Sequence, residues 1–468
     1  MSTKQDSSVI TQHDSDAMPE KAKHDTSTAK HREPKKPREQ YKLRTRMIHG
    51  SFATGRWDYD HHVVPPQSSS ATYRLQSVHR GAEGFEEFGS DVAQRAPIYI
   101  YDRLDEPTRG MLEENLAVAE GGEIAVTFAT GMAAISAAIC SMVSHGNQIV
   151  AHRILYGCTF SLLTNWVPHY GVRTDFCDLT KPESILKTAT ADCRVVYFET
   201  PVNPTMELID IARVRRTVDQ LNKDRKEEEK IKIIVDNTFA SPYCQRPLEL
   251  GADVVVQSLT KAIGGFGTDM GGVLVGPNRY YHEWMLYRKD FGGVLSPKAA
   301  WPILVYGLPT LATRMVNQQK TALRVAEFLL KQPKVTNVLY PGLPTFPQHE
   351  LAKQQMVSYD GKFAPGSLLY FELKGADPSA AHSAGENAEE TGVRFVDYIA
   401  EHAYTITLAV SLGQIKTLIE NPFSMTHAAV PREEKIKSGL RPGGIRLSLG
   451  LEDWHDIIAD LESALAVI

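Results

Sequence analysis

The sequence predicts an α/β protein with a mainly parallel central sheet and a smaller α+β domain at its C-terminal end. Short apolar segments alternate with helical segments from residue 107 to residue 276. After Gly307 this alternation gives way to one long helical segment followed by widely spaced strands. Alternating strands and helices are typical of a parallel sheet covered by helices, and the change after Gly307 indicates a second domain of a different type.

Seven short apolar segments are predicted as strands of the first domain. They are residues 124–128, 148–151, 172–176, 195–198, 231–235, 254–256 and 273–275. A helix begins at Pro107 and ends before Gly121, since proline suits the first helical turn and glycine suits the end. Further helices are predicted at 131–143, 158–167, 181–189 and 209–221.

The C-terminal domain is predicted from fewer and longer segments. Helices are expected at 311–330, 393–402 and 453–466, and strands at 368–373, 405–410 and 444–449. The predicted boundaries are a disordered tail at 1–45, an N-terminal arm with a loop insertion at 46–105, a large α/β domain at 106–310 and the α+β domain at 311–468.

Composition limits the class of protein. Apolar residues make up 42% of the 468 residues and charged residues 23%, which is ordinary for a globular protein. A net charge of -5 argues against a nucleic-acid partner, and no apolar run is long enough to span a bilayer. The five cysteines lack metal-ligand spacing, so we expect no metal site, reduced thiols and a cytoplasmic location.

Four polar stretches are interpreted as peripheral. Residues 1–45 contain too few apolar side chains to fold alone, and their basic run at 31–38 is interpreted as part of a solvated tail. Residues 81–95 and 376–390 are predicted to be insertions. Residues 222–230 form either a charged helix extension or a loop.

Lys261 is the first candidate for a reactive residue. The apolar strand at 254–256 leads into Ser258-Leu259-Thr260-Lys261, followed by a glycine-rich loop. A partly desolvated amine at a strand end loses its proton easily and can form a Schiff base with an aldehyde. The hydroxyls of Ser258 and Thr260 suit a phosphate, and together these properties fit pyridoxal phosphate (PLP). In isolation, such a motif is more often a surface lysine.

Polar residues after other strands are the next candidates, because ligands of such sheets bind beyond the carboxyl ends of the strands. Ala129-Thr130-Gly131-Met132 opens a helix, whose free N–H groups and dipole favour a phosphate. The alternative is an ordinary helix cap at Thr130. Asp236 follows a buried strand and would pair with a protonated pyridine nitrogen, or would cap a loop.

Three further side chains follow strands. Tyr156 could stack on a flat ring and pass a proton, although a lone tyrosine is more often a packing residue. Cys158 is more often a small core residue than a reactive one. The turn at 199–204 contains two prolines and can present Asn203.

These motifs together resemble the Cys/Met-metabolism family, the trans-sulfuration enzymes of fold type I, which depend on PLP. The resemblance runs from about His49-Gly50 to the C-terminus. The motifs that carry it are Ala129-Thr130-Gly131-Met132, Tyr156-Gly157-Cys158-Thr159, Val235-Asp236-Asn237-Thr238, Ser258-Leu259-Thr260-Lys261, Tyr340-Pro341-Gly342-Leu343, Ser424-Met425-Thr426-His427 and Arg446-Leu447-Ser448-Leu449-Gly450.

The resemblance implies a role for each matching residue. Lys261 would hold the cofactor and later move protons, Asp236 would keep the pyridine nitrogen protonated, and Tyr156 would stack on the ring and assist the leaving group. The phosphate would be held by Thr130, Gly131, Met132, Ser258 and Thr260, and by Tyr101 and Arg103 of a neighbouring subunit. The substrate would contact Arg446, Asn203, Ser411 and Cys158. Sharing of the site implies at least a dimer, and the family suggests a homotetramer of two active dimers.

Within the family the chain resembles methionine γ-lyase. Cys158 and Lys289-Asp290 match the pattern of that enzyme, and Val410 stands where relatives that use cystathionine usually carry glutamate. The resemblance implies γ-elimination on L-methionine or a related thioether. The alternatives are γ-replacement on an O-acylhomoserine, cleavage of cystathionine and, more remotely, a non-catalytic scaffold. Thr130 replaces a usual serine, and the insertion at 81–95 precedes Tyr101, so the substrate stays open.

Overall fold

The computed structural model describes residues 37–50, 62–90, 98–375, 384–426, 432–437 and 439–468. The prediction of disorder at 1–36 therefore lies outside the described residues. Residues Lys42–Ile468 form one unit, which is described from here on. Helix α1, Leu43–His49, begins inside the predicted tail. Met47 of this helix is buried in the main hydrophobic core, and that burial explains why the segment is helical.

A seven-stranded sheet forms the centre of the larger part of the fold. Its strands are β1 (Ile124–Phe128), β2 (Gln148–His152), β3 (Arg173–Cys177), β4 (Cys193–Glu199), β5 (Lys232–Asp236), β6 (Val254–Ser258) and β7 (Gly272–Gly276). Their spatial order is β1-β7-β6-β5-β4-β2-β3. Strand β7 runs antiparallel to β1 and β6, and the remaining pairs are parallel. The predicted α/β fold with a mainly parallel sheet is confirmed.

Helices cover this sheet and connect its strands. They are α2 (Val78–Glu86), α3 (Pro107–Glu120), α4 (Gly131–Cys140), α5 (Gly157–Ser161), α6 (Ser184–Thr188), α7 (Ile211–Asn222), α8 (Ser241–Cys244), α9 (Tyr281–Phe291) and α10 (Pro297–Pro302). Helix α3 begins at Pro107, after Glu106 caps its first turn, and ends at Gly121 in the left-handed conformation. Both ends agree with the sequence signals at Pro107 and Gly121.

A second, five-stranded sheet lies in the C-terminal part. Its strands are β8 (Val335–Leu339), β9 (Leu368–Leu373), β10 (Ile406–Leu408), β11 (Thr417–Glu420) and β12 (Gly444–Ser448), in the order β10-β11-β12-β9-β8. Only β10 and β11 are parallel neighbours among the described pairs. Its helices are α11 (Leu308–Leu329), α12 (His349–Gln355), α13 (Ala384–His402), α14 (Arg432–Lys437) and α15 (Trp454–Val467). The sequence analysis missed β8 and β11 because each is short and mixes polar with apolar residues.

The predicted loop insertion at 81–95 was partly wrong, because α2 covers residues 81–86. Ser77 caps the helix by accepting a hydrogen bond from the N–H of Arg80. The buried face of α2 is formed by Gly81 and Gly84, and a side-chain carbon added at Gly84 would lie 2.8 Å from Ile98. Val78, Ala82 and Phe85 recur at helical spacing, and the sequence analysis missed this short period. Residues 91–95 of the insertion lie outside the described residues.

Helix α13 was also predicted too short. It begins at Ala384 rather than at 393 and so occupies part of the predicted insertion at 376–390, of which residues 376–383 are not described. The polar first turns gave no apolar period to detect. In the described part of the chain, no helix has both the length and the apolar character needed to cross a bilayer.

Candidate active site

The candidate site lies at the edge of the first sheet where β4, β5 and β6 end. These parallel neighbours end at Glu199, Asp236 and Ser258, and Glu199 is paired in register with Asp236. The carboxyl ends of parallel strands are where open α/β sheets bind ligands. The structure therefore brings the predicted residues after β5 and β6 to one edge, as the sequence analysis expected.

Lys261 extends from the turn after β6 toward the C-terminal part of the chain. Its Nζ donates a hydrogen bond of 2.7 Å to the hydroxyl oxygen of Ser411. Burial and, to a smaller extent, the positive charge of Arg446 lower the pKa of Lys261 to about 8, and Glu420 opposes the shift. A substantial fraction of this amine is therefore neutral near neutral pH, and the neutral form is the nucleophile and the base.

Ser411 lies on an unusual loop that brings the two parts of the chain together. Its φ of 86° is in the left-handed region, which is uncommon for a residue other than glycine. Two residues later, Gly413 has a φ of 76°, and a side-chain carbon there would lie 2.6 Å from the backbone nitrogen of Ala262. Glycine at this position lets the loop approach the backbone next to Lys261 closely enough for the contact with Ser411.

Arg446 of β12 is held by three partners. It donates hydrogen bonds to the side-chain oxygen of Asn203 at 3.0 Å and to the carbonyl oxygen of Ser411 at 2.8 Å. Its guanidinium also lies 3.0 Å from a carboxylate oxygen of Glu420. A fixed guanidinium is well suited to bind a carboxylate with two hydrogen bonds. The structure thus brings together Lys261, Ser411, Arg446 and Asn203, which were predicted from separate motifs.

Glu420 was not predicted as a site residue. It ends β11 and is the register partner of Arg446 on the antiparallel strand β12. Thr426 donates a hydrogen bond of 3.3 Å to the same carboxylate oxygen that faces Arg446. Burial raises the pKa of Glu420, while Arg446 and Thr426 oppose that rise. An acidic residue directly after an apolar strand was the available sequence signal, but its partner depends on strand register.

Asp236 is 9% exposed at the end of β5. One of its carboxylate oxygens accepts a hydrogen bond of 2.9 Å from the backbone N–H of Thr238. Burial raises the pKa of Asp236, and the hydrogen bonds from Thr238 oppose the rise. A buried carboxylate of this kind is stabilised by a cationic partner, such as a protonated ring nitrogen.

The N-terminus of α4 lies against Ser258, and this close approach is called the Gly131–Ser258 cradle. A side-chain carbon added to Gly131 would lie 3.0 Å from the side chain of Ser258, so a larger residue would crowd this space. Thr130 caps the helix by accepting a hydrogen bond of 3.0 Å from the N–H of Ala133, and Met132 follows in the first turn. Unpaired N–H groups and the helix dipole attract a phosphate. The hydroxyl of Thr260 instead accepts a hydrogen bond of 3.1 Å from the N–H of Gly271.

Tyr156 precedes α5 and is 41% exposed. Its backbone N–H donates a hydrogen bond of 2.6 Å to Glu199, a second carboxylate that was not predicted as a site residue. Partial burial, a hydrogen bond to Cys158 and nearby negative charge together raise the pKa of Tyr156 to about 12, and Arg446 opposes the rise. The phenol is therefore protonated at neutral pH. Cys158 is exposed beside it.

Tyr101 and Arg103 are exposed on the single chain. Arg103 donates a hydrogen bond of 2.5 Å to the carbonyl oxygen of Lys289, and its guanidinium lies 5.5 Å from the centroid of the Tyr101 ring. Their expected contact with the phosphate of a neighbouring subunit concerns an assembly of chains and stays a prediction.

Comparison with known proteins identifies the family. The sequence model of the family described as "Cys/Met metabolism PLP-dependent enzyme" matches residues 44–466. The chain belongs to this family. The predicted resemblance is confirmed, and so is PLP as the cofactor of the family.

Curated relatives and solved structures agree with that assignment. An L-methionine gamma-lyase of Porphyromonas gingivalis is 39% identical over 425 residues, covering 90% of this chain and 96% of the relative. A cystathionine beta-lyase of Lactococcus lactis is 34% identical and covers 90% of this chain and 98% of the relative. The crystal structure of a cystathionine gamma-lyase from Lactobacillus plantarum, complexed with L-serine, superposes with a TM-score of 0.76 and 32% identity, covering 91% of this chain and 99% of that one.

The residues of the site fit PLP. Lys261 supplies an amine of lowered pKa, and the Gly131–Ser258 cradle lies at a helix N-terminus, where a phosphate is favoured. Asp236 supplies a buried carboxylate for a ring nitrogen. Each of the three chemical groups of the cofactor, aldehyde, phosphate and pyridine, therefore has a matching group at this edge of the sheet.

The pKa of Lys261 predicts how the apoprotein takes up PLP. We expect the rate of PLP addition to the apoprotein to rise with pH and to reach its midpoint near pH 8, because only the neutral amine attacks the aldehyde. Stopped-flow measurement of the cofactor absorption at a series of pH values tests this. Free lysine amines, with a pKa near 10.4, would give a midpoint more than two pH units higher, and such a midpoint would contradict the burial argument. A Lys261→Ala protein is the control and should give no phase of this kind.

Proposed function

We propose that the chain is a PLP-dependent carbon–sulfur lyase that performs γ-elimination on L-methionine or a related short thioether. The overall reaction consumes one water and gives 2-oxobutanoate, ammonia and a thiol. The observation that carries this proposal is the contact of Lys261 and Arg446 with the same residue, Ser411. A base of lowered pKa thereby lies next to the guanidinium that would hold the substrate carboxylate. The relatives named L-methionine gamma-lyase support the choice of reaction.

Binding and orientation of the substrate are assigned to Arg446. Its guanidinium binds the α-carboxylate, and Asn203 and the carbonyl oxygen of Ser411 fix the plane of the guanidinium. Holding the carboxylate in this way orients the α-hydrogen relative to Lys261. The buried pair with Glu420 keeps Arg446 in place before the substrate arrives.

Proton transfers are assigned to Lys261 and Tyr156. PLP, when bound, supplies an electron sink that stabilises the charge left at the substrate carbon. The neutral amine of Lys261 takes the α-proton, gives that proton up again and, once neutral, takes a β-proton. Tyr156 is protonated at neutral pH, so its phenol can give a proton to the γ-thiolate as that group leaves.

Val410 is proposed to select for a short uncharged side chain. It directly precedes Ser411 and is 58% exposed, between the end of β10 and the loop that contacts Lys261. An apolar side chain at this position offers no partner for the distal ammonium of cystathionine. A methyl thioether has no such ammonium, so L-methionine would lose no binding free energy at Val410.

A Val410→Glu substitution is expected to shift the preference toward cystathionine. A charge-assisted hydrogen bond to the distal ammonium should raise kcat/KM for cystathionine, relative to methionine, by about 10- to 150-fold, since such bonds contribute about 1.5–3 kcal/mol. Steady-state kinetics with both substrates measures the ratio. Val410→Gln is the matched control of similar size without charge. An equal change in both variants would show that charge at this position does not set the preference.

A substrate panel tests the proposed function against its alternatives. The PLP-loaded protein is incubated with L-methionine, with cystathionine, or with O-acetylhomoserine plus a thiol, and kcat/KM is measured for each. The proposal expects the highest value for methionine. A cystathionine beta-lyase and an O-acetyl-L-homoserine sulfhydrylase are among the relatives, each 34% identical. A highest value for one of their substrates would move the assignment to that reaction.

The assembly and location are part of the same proposal. We infer a homotetramer of two active dimers, in which Tyr101 and Arg103 of one subunit reach the phosphate site of its neighbour. Their exposure on the single chain is consistent with such a shared site. The five cysteines are free thiols, as expected in the reducing environment of the cytoplasm. We also propose domain boundaries near residues 105 and 310. The strands of the first sheet all precede α11 in the sequence and those of the second sheet all follow it, which supports the second boundary.

A further inference from the structure

Two carboxyl groups lie side by side at the edge of the sheet. Glu199 ends β4 and Asp236 ends β5, and the parallel register pairs these two residues directly. Side chains of directly paired residues point to the same face of a sheet, and neighbouring strands are about 4.8 Å apart. Glu199 is 6% exposed and Asp236 is 9% exposed. The family assignment uses Asp236 for the ring nitrogen and leaves Glu199 without a role.

Two buried carboxyl groups at this spacing cannot both be ionised without a large electrostatic cost. Burial raises the pKa of Glu199 well above its usual range, the negative charge of Asp236 adds to that rise, and the hydrogen bond from the N–H of Tyr156 opposes it. Asp236 receives more support for its charge, because Thr238 donates hydrogen bonds to it. Tyr197 of β4 and Tyr156 are the other titratable groups close to Glu199, and both have a raised pKa and stay neutral. When only one of the two carboxyl groups is ionised, we therefore expect Asp236 to carry the charge and Glu199 to carry the proton.

Glu199 also connects this pair to the residue assigned to the leaving group. Its carboxyl oxygen accepts the backbone N–H of Tyr156 at 2.6 Å. Tyr156 directly precedes the short helix α5, and its side chain makes no capping hydrogen bond, so the contact with Glu199 holds the backbone at the start of this helix. A displacement of a catalytic group by about 1 Å can cost about 10²-fold in rate.

We propose that Glu199 is a positioning residue of the active site: as a neutral acid it holds the backbone of Tyr156 and leaves the negative charge of the pair to Asp236. This inference rests on the proposed function for its kinetic part. The protonation state of Glu199 can be tested without any substrate. Failure of this inference is therefore distinguishable from failure of the proposed lyase function.

The protonation half is tested with Glu199→Gln, which keeps the shape and the acceptor oxygen but cannot ionise. The visible absorption of the PLP-loaded protein is titrated with pH for the parent and the variant. A neutral Glu199 predicts the same midpoint in both, because the substitution removes no charge. If Glu199 were ionised, loss of an anion beside the cofactor would move the midpoint to lower pH, and that shift would overturn the proposal.

The positioning half is tested by comparing Glu199→Gln with Glu199→Ala and Glu199→Asp. Glu199→Gln should keep kcat within about threefold of the parent, and the other two should lose about 10- to 100-fold in kcat with little change in KM, since Arg446 still binds the carboxylate. The Asp variant moves the carboxyl oxygen away from the N–H of Tyr156, and it replaces the Ala variant in this test if the Ala variant fails to fold. Equal losses in Gln and Ala, or no loss in Ala and Asp, would contradict the proposal.

A matched control removes a similar carboxylate elsewhere. Asp460 accepts the backbone N–H groups of Tyr404 and Thr405, next to β10 and at 3.2 Å and 2.9 Å. Asp460→Ala should lower the free energy of unfolding without changing kcat or the midpoint of the cofactor absorption. If kcat fell as much in this control as in Glu199→Ala, loss of any carboxylate that accepts backbone N–H groups would be enough to lower kcat. That result would contradict a specific role for Glu199.

Discussion

A Lys261→Ala protein is expected to lose more than about 10³-fold in kcat while keeping its fold. The substitution removes both the amine that binds the cofactor covalently and the base that moves the α- and β-protons, and a positioned base alone contributes about 10²- to 10⁴-fold. The hydrogen bond to Ser411 is also lost, but the contact of Arg446 with Asn203 still joins the two parts of the chain. Release of 2-oxo acid per cofactor-loaded subunit measures the effect.

Lys298→Ala provides the matched control for this experiment. Lys298 is exposed near the start of α10, and its backbone N–H is held by Ser296 independently of its side chain. Its removal should leave kcat unchanged. Full activity of the Lys261→Ala protein, with the Lys298→Ala protein also active, would refute the assignment of Lys261 as the cofactor lysine and the base.

Removal of Arg446 is expected to give the second large effect, with two separate consequences. Arg446→Ala should lower kcat/KM by about 10²- to 10³-fold, because the substrate carboxylate loses a buried, charge-assisted pair. The substitution also leaves Glu420 buried without its cation, and breaking such a pair costs about 3–5 kcal/mol in the free energy of unfolding. Steady-state kinetics and urea unfolding of the apoprotein measure the two consequences separately.

A double variant separates binding from stability at Arg446. Arg446→Ala combined with Glu420→Gln removes the unpaired carboxylate, so the free energy of unfolding should recover in part while kcat/KM stays low. Glu420→Gln alone keeps the guanidinium and its contacts with Asn203 and Ser411. Recovery of kcat/KM in the double variant would mean that Arg446 acts through stability and does not bind the substrate carboxylate.

Much of the fold could be predicted because local chemistry and the wider structure agree. The central strands β4, β5 and β6 are almost entirely buried and mostly apolar, and their ends carry polar residues that form the site. Lys261 and Asp236 were found because each follows such a run directly. The helix at Pro107 was found from its cap and its terminal glycine. These signals lie within a few residues of the feature they predict.

The features that were missed depend on contacts between distant parts of the chain. Glu199 and Glu420 follow apolar strands just as Asp236 does, but their partners are set by strand register and by the loop at Ser411. Helix α2 packs Gly81 against Leu75, which precedes the helix, and Gly84 against Ile98 and Ile100, which follow it.

The central claim is that this site eliminates the thiol of L-methionine, and one measurement tests it directly. The purified, PLP-loaded protein is incubated with L-methionine alone, and 2-oxobutanoate and methanethiol are both quantified. The account predicts that both appear in equal amounts and that neither appears with the Lys261→Ala protein. Absence of both products from a protein that still shows the cofactor absorption would contradict γ-elimination on methionine while leaving the fold and the cofactor in place.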